Sequence, residues 1–125
     1  MKNLFLFLLF LLPVFFCNAA ERGVSEKSTG KNLVKMPANA LLIDVRTEKE
    51  FACGHLKGAA NIPDGNVALL KKKGAKKDTP LFLYCRSGRR VKAAIKNLKK
   101  EGYTCLYDLG GMKEAEKKLA LPVVK

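Results

Sequence analysis

Apolar positions along this chain follow two periods that take turns. Leu41-Leu42-Ile43-Asp44-Val45 and Leu81-Phe82-Leu83-Tyr84 are short, nearly continuous apolar runs, the pattern of strands buried on both faces. Val91, Ala94, Ile95 and Leu98 recur at i, i+3, i+4 and i+7, which predicts a helix over 91–100 with one face packed on a sheet. Thr47-Glu48-Lys49-Glu50 has capping-box spacing, so a short helix opens there, runs to about Cys53 and closes at Gly54. Gly58 to Pro63 predicts a short strand ended by proline, and 66–73 a helix. After a turn at 77–80 and the second apolar run, Gly102 to Tyr107 predicts a further strand, and Gly110-Gly111 a turn into a last helix over 112–119. A short first strand near Asn32 to Lys35 would precede them all. Strand and helix alternate, so the expected class is α/β: one domain whose mostly parallel sheet carries helices on both faces.

The amino-terminal stretch obeys a different rule. Met1-Lys2-Asn3 is a short positive start, Leu4 to Phe16 is apolar throughout, and Cys17-Asn18-Ala19-Ala20 supplies small residues for cleavage. The run falls short of the ~18–20 apolar residues a membrane span needs. Residues 1–20 are therefore expected to be a removable secretory signal, 21–31 a flexible polar leader, and 32–125 the domain. Bulky Phe16 before Cys17 argues against lipoprotein processing. The mature chain is expected to be exported and periplasmic, without a stable membrane anchor once processed.

Charge narrows the partners. Lys and Arg number 24 against 11 acidic residues, a formal net charge of +13. Most of the excess lies in Lys71-Lys72-Lys73, Lys76-Lys77, Lys99-Lys100 and Lys117-Lys118, without interleaved aromatics or a nucleic-acid motif, so nucleic acid is not an expected partner. A solvated lysine surface is the favoured reading, with a weak attraction to anionic lipid or polyanions as the lesser one.

The chemistry concentrates at one thiol. Of four cysteines, Cys53, Cys85 and Cys105 remain beyond the leader, an odd number that leaves at least one unpaired, and no C-x-x-C suggests a dithiol site. Cys53 and Cys105 are expected as buried or semi-buried free thiols. Cys85 stands where an apolar strand runs into the cationic loop Cys85-Arg86-Ser87-Gly88-Arg89-Arg90, at the head of a helix. Unpaired amides, the helix dipole and three arginines there favour an anion, so a lowered thiol pKa and a solvent-accessible thiolate are expected. Gly88 can take a positive φ and let the loop amides curl into an anion-binding nest. Arg86 and Arg89 are expected to fan out toward a dianionic donor, while Arg90 either binds substrate or pairs with a carboxylate to brace the loop. The one histidine, His55, lies in Cys53-Gly54-His55, which is no zinc-ligand spacing; a loop-bracing role is expected and no metal.

Leu42-Ile43-Asp44-Val45-Arg46-Thr47, Glu50-Phe51 and Gly54 to Pro63 resemble the amino-terminal signature of rhodaneses, the thiosulfate sulfurtransferases. Tyr84 to Arg90 resembles their active-site loop, and Leu109-Gly110-Gly111 their closing signature. Size, leader and basic tail are similar to the small exported single-domain type. The resemblance implies a five-stranded parallel sheet and Cys85 as a nucleophile that takes sulfane sulfur from thiosulfate or a persulfide donor and passes it to cyanide or a thiol. It also implies that the amides of Arg86, Ser87, Gly88, Arg89 and Arg90 stabilise the sulfur, and that Asp44 and Arg46 support the loop from behind. No cofactor is implied, and a monomer is expected. Cys53 could act as a resolving thiol, since both motifs border the site in that family. A non-catalytic persulfide carrier or anion-binding module is the alternative. A phosphatase or arsenate reductase is less favoured: those loops follow Cys-x5-Arg, and that spacing from Cys85 reaches Val91, whereas Arg90 gives Cys-x4-Arg.

Overall fold

The computed structural model describes residues 33–125. The signal and leader readings of residues 1–31 lie outside these residues, as does Asn32. Leu33 to Lys35 form no strand.

The two apolar runs become neighbouring strands. In chain order the elements are β1 (Leu41–Asp44), α1 (Glu48–Cys53), β2 (His55–Leu56), β3 (Ala60–Asn61), a 3-10 turn (Pro63–Gly65), α2 (Val67–Lys72), β4 (Leu81–Cys85), α3 (Arg89–Lys100), β5 (Leu106–Gly111), α4 (Met112–Leu119) and β6 (Val123–Val124). β3, β1, β4 and β5 form, in that order, a parallel sheet, and β2 pairs antiparallel with β6 in a separate two-strand sheet. The α/β class and mostly parallel sheet therefore stand, with four strands in the main sheet among the described residues rather than five in one.

Strand parity builds two cores. Side chains alternate across a strand, so Ile43, Val45, Leu81, Leu83 and Cys85 face one side, where Val91, Ala94 and Leu98 of α3 and Leu70 of α2 cover them. Leu42, Phe82 and Tyr84 face the other, under Leu109, Leu56 and Ala115 of α4. Each helix after a strand returns toward the strands' amino edge, the usual consequence of parallel pairing.

The strand expected over 102–107 is displaced to Leu106–Gly111. Gly102 turns at φ 94° and Tyr103 drops into the core beside Leu98, so the ladder starts only after the Leu81 amide has bonded the Cys105 carbonyl. The Gly110-Gly111 turn is thus the end of a strand. Cys53 is a free but exposed thiol, and Cys105 is buried and disulfide-bonded, so neither matches the expected buried free thiol.

Candidate active site

Cys85 is the last residue of β4, and its parity turns the sulfur beneath the head of α3. Gly88 caps α3 in the left-handed region, φ 95°, which lets its amide fold back and donate to Cys85 Sγ at 3.0 Å. Arg86, Ser87 and Arg89 are exposed, and neither guanidinium has an ion-pair partner among the described residues. Cys85 itself has no exposed surface. That departs from the accessible sulfur expected above: the loop that supplies the amide also closes over the sulfur.

β5 seals the loop from the side. Gly111 pairs with Cys85 in register and bridges Ser87, with a shift between Leu83 and Cys85. Its backbone lies so close that a Cβ at Gly111 would sit 2.7 Å from the Arg86 carbonyl oxygen. The closing Leu109-Gly110-Gly111 therefore serves as a wall, and only a residue without a side chain fits there.

Two ion pairs hold the surroundings. Arg46 donates Nε and Nη2 to the Asp44 carboxylate, with contacts of 2.6–3.0 Å, and Nη2 also reaches the Gly54 carbonyl at 2.6 Å. Hydrogen bonding to Asp44 raises the Arg46 pKa further above its ordinary value. Asn61 donates to the Asp44 and Arg46 carbonyls, tying β3 to this turn. Arg90, in the first turn of α3, makes a two-pronged contact with Glu50 at 2.9 Å on both prongs. The Arg90 hydrogen bonds pull the Glu50 carboxyl down from 4.5 to about 2. Arg90 therefore braces the loop against α1, the outcome the sequence left open. Glu50 was legible only as a helix cap. Thr47 does accept from its amide at 3.3 Å, but its carboxylate turns to Arg90.

His55 belongs to α1's neighbourhood. Its ring stacks on Phe51 at 3.6 Å, and Nδ1 must carry a proton to donate to the Phe51 carbonyl at 2.9 Å. Beside the loop lies an open depression of about 240 Å³ lined by Arg46, Lys49, Glu50, Cys53 and Arg86. Among the described residues no cluster of His, Cys, Asp or Glu could hold a metal, and no helix is long and apolar enough to cross a membrane.

The rhodanese-like domain family matches residues 27–118. The chain belongs to the rhodanese-like family. It is 31% identical over 118 residues to the uncharacterized protein YqhL of Bacillus subtilis, covering 91% of this chain and 93% of that one. Thiosulfate sulfurtransferase PspE of Escherichia coli is 35% identical over 85 residues, 66% of this chain and 77% of PspE. A solved E. coli rhodanese with anions superposes at a TM-score of 0.58 with 32% identity, covering 69% of this rhodanese-like chain and 98% of that structure. Sulfurtransferases thus stand among the relatives of this chain.

Proposed function

We propose that this rhodanese-like protein is a sulfurtransferase working through a Cys85 persulfide, with thiosulfate as a donor. The observation that carries the reading is the Gly88 amide aimed at Cys85 Sγ at 3.0 Å, at the amino end of helix α3 and beside the exposed Arg86 and Arg89. The Cys85 thiolate attacks the outer sulfur of thiosulfate; the S–S bond to the sulfonate breaks, and sulfite departs with its electron pair. The persulfide keeps one negative charge, which the loop amides from Arg86 to Arg90 stabilise as they did the thiolate. A thiolate or cyanide then attacks the outer sulfur, forming a persulfide or thiocyanate and regenerating the Cys85 thiolate. Arg86 and Arg89 draw in the dianion, while Asp44, Arg46 and His55 position the loop and α1. That an E. coli relative was solved with anions supports an anionic donor.

Phosphatase or arsenate reductase chemistry finds poor support, because Arg90 is engaged by Glu50 and the position at Cys-x5 is Val91, wholly buried. Residues 1–20 are read as an export signal that delivers domain 32–125 to the periplasm. The burial of Cys85 favours one second reading, a persulfide carrier whose partner opens the loop.

Mass spectrometry after thiosulfate treatment tests the proposal. The wild type gains one sulfur and releases one equivalent of sulfite, and Cys85→Ser does neither while melting as the wild type does. Retained sulfite release in Cys85→Ser removes the proposal. Steady turnover with a small thiol supports the enzyme, whereas one loading followed by arrest supports the carrier.

A further inference from the structure

The lysine clusters, scattered in sequence, converge in space. α2 ends in Lys71 and Lys72 and is followed by Lys73, and α3 ends in Lys99 and Lys100. Both helices run back to the amino edge of the sheet, away from Cys85. The loop between α2 and β4 joins them there. Lys77 Nζ donates to the Glu101 carbonyl at 2.6 Å and lies 4.3 Å from the centre of the Tyr103 ring, while the Lys77 carbonyl accepts from the Thr104 amide. Lys71, Lys72, Lys73, Lys76, Lys77, Lys99 and Lys100 are all exposed, and none forms an ion pair among the described residues. Only Asp78 and Glu101 interrupt them along those segments.

Helix dipoles account for part of this, since cations suit the last turn of a helix. They do not account for Lys76 and Lys77, which lie beyond α2 and its C-cap Lys73. Like charges gathered at one edge of the sheet repel each other, and an anionic surface relieves the repulsion. The partner's chemistry follows from what the patch lacks. Its cations are lysines, hydrated point charges without arginine's fixed two-pronged geometry. The depression beside the loop is at the other end of the sheet. Diffuse charge carried by hydrated lysines suits a mobile array of headgroups better than one specific acidic protein.

We propose that this amino-edge pole docks the domain reversibly on bilayers bearing anionic phospholipid headgroups, leaving the Cys85 loop turned to the opposite side. The choice of a bilayer rests on the export reading above, which brings the chain to a membrane; the binding itself does not depend on sulfur transfer.

Sedimentation of the full chain with vesicles tests it. Protein should pellet with phosphatidylcholine vesicles that contain phosphatidylglycerol, stay in solution with phosphatidylcholine alone, and dissociate in high salt. At roughly fivefold in partitioning per lysine, Lys72→Gln, Lys73→Gln and Lys76→Gln together should weaken binding about a hundredfold. Lys57→Gln, Lys113→Gln and Lys125→Gln, which remove equal charge elsewhere, should leave most of it. Sulfite release should be unchanged in both triple variants, so a failure of docking is read separately from a failure of the enzyme proposal. Equal losses in the two variants, equal binding to neutral vesicles, or tighter binding to polyglutamate than to the anionic vesicles would each overturn the proposal.

Discussion

The two edges of the sheet use positive charge in opposite ways. At the carboxyl edge, Arg46 and Arg90 are each held by a carboxylate in fixed geometry, while Arg86 and Arg89 project without one among the described residues. At the amino edge, seven exposed lysines have no ion-pair partner among the described residues. Paired charge fixes shape, because each guanidinium fork ties two segments together. Unpaired charge sets a field, which depends on salt and hardly at all on side-chain position. A cationic protein can thus build a rigid site and a diffuse surface from the same sign of charge.

Breaking the buried pair should hurt most. Asp44→Ala leaves the Arg46 guanidinium buried without its carboxylate and should cost about 3–5 kcal/mol, read as a large fall in Tm. A fall of only a degree or two would mean that the carboxyl edge is not organised by this pair. Gly111→Ala comes next. Gly111 has no positive φ, so the clash of its new Cβ with the Arg86 carbonyl is purely steric and should cost about 1–3 kcal/mol. Activity should drop more than stability, because the displaced atoms belong to the Cys85 loop. Wild-type turnover in this variant would show that the wall is dispensable.

The partly exposed Arg90–Glu50 brace should be worth about 1 kcal/mol or less. Its pH signature is sharper than its size. The carboxyl is held at about 2 in the folded chain, below its ordinary 4.5, so its contribution is full above that ordinary value and is lost as pH falls toward 2. Glu50→Gln should remove this part of the acid sensitivity, and comparing melts at pH 3 and pH 6 checks it. The smallest effect is expected from Cys53→Ser, which should leave turnover with thiol acceptors unchanged despite lining the depression shared with Arg86. A clear loss would make Cys53 a sulfur relay.

How much of this was legible in the sequence depends on how local the cause is. β1, β4 and α3 were plain, because continuous apolar runs and the spacing of Val91, Ala94 and Leu98 encode burial directly. α4 was also readable from the Gly110-Gly111 break before it. β2 and β6 were not: two residues each, they are strands only because His55-Leu56 and Val123-Val124, at opposite ends of the domain's sequence, meet. β5 was misplaced because Tyr103 reads as a strand residue but fills a hole beside Leu98. At the site, the positive φ of Gly88 followed from its neighbours in sequence. The Glu50 partner of Arg90 did not, since forty positions separate them and a capping role explained Glu50 equally well.

Helix α1 is fastened at both ends: Arg46 grips the Gly54 carbonyl at its close, and Arg90 holds Glu50 in its first turn. In the proposed reaction, a donor would reach the covered sulfur only if the segment leading into α3 swung outward. That swing must either release a carboxylate or drag α1 along, reshaping the hollow that Lys49, Cys53 and Arg86 enclose. Under the proposed sulfur transfer, admission of the donor and remodelling of the neighbouring hollow would be one mechanical event, geared through a single guanidinium.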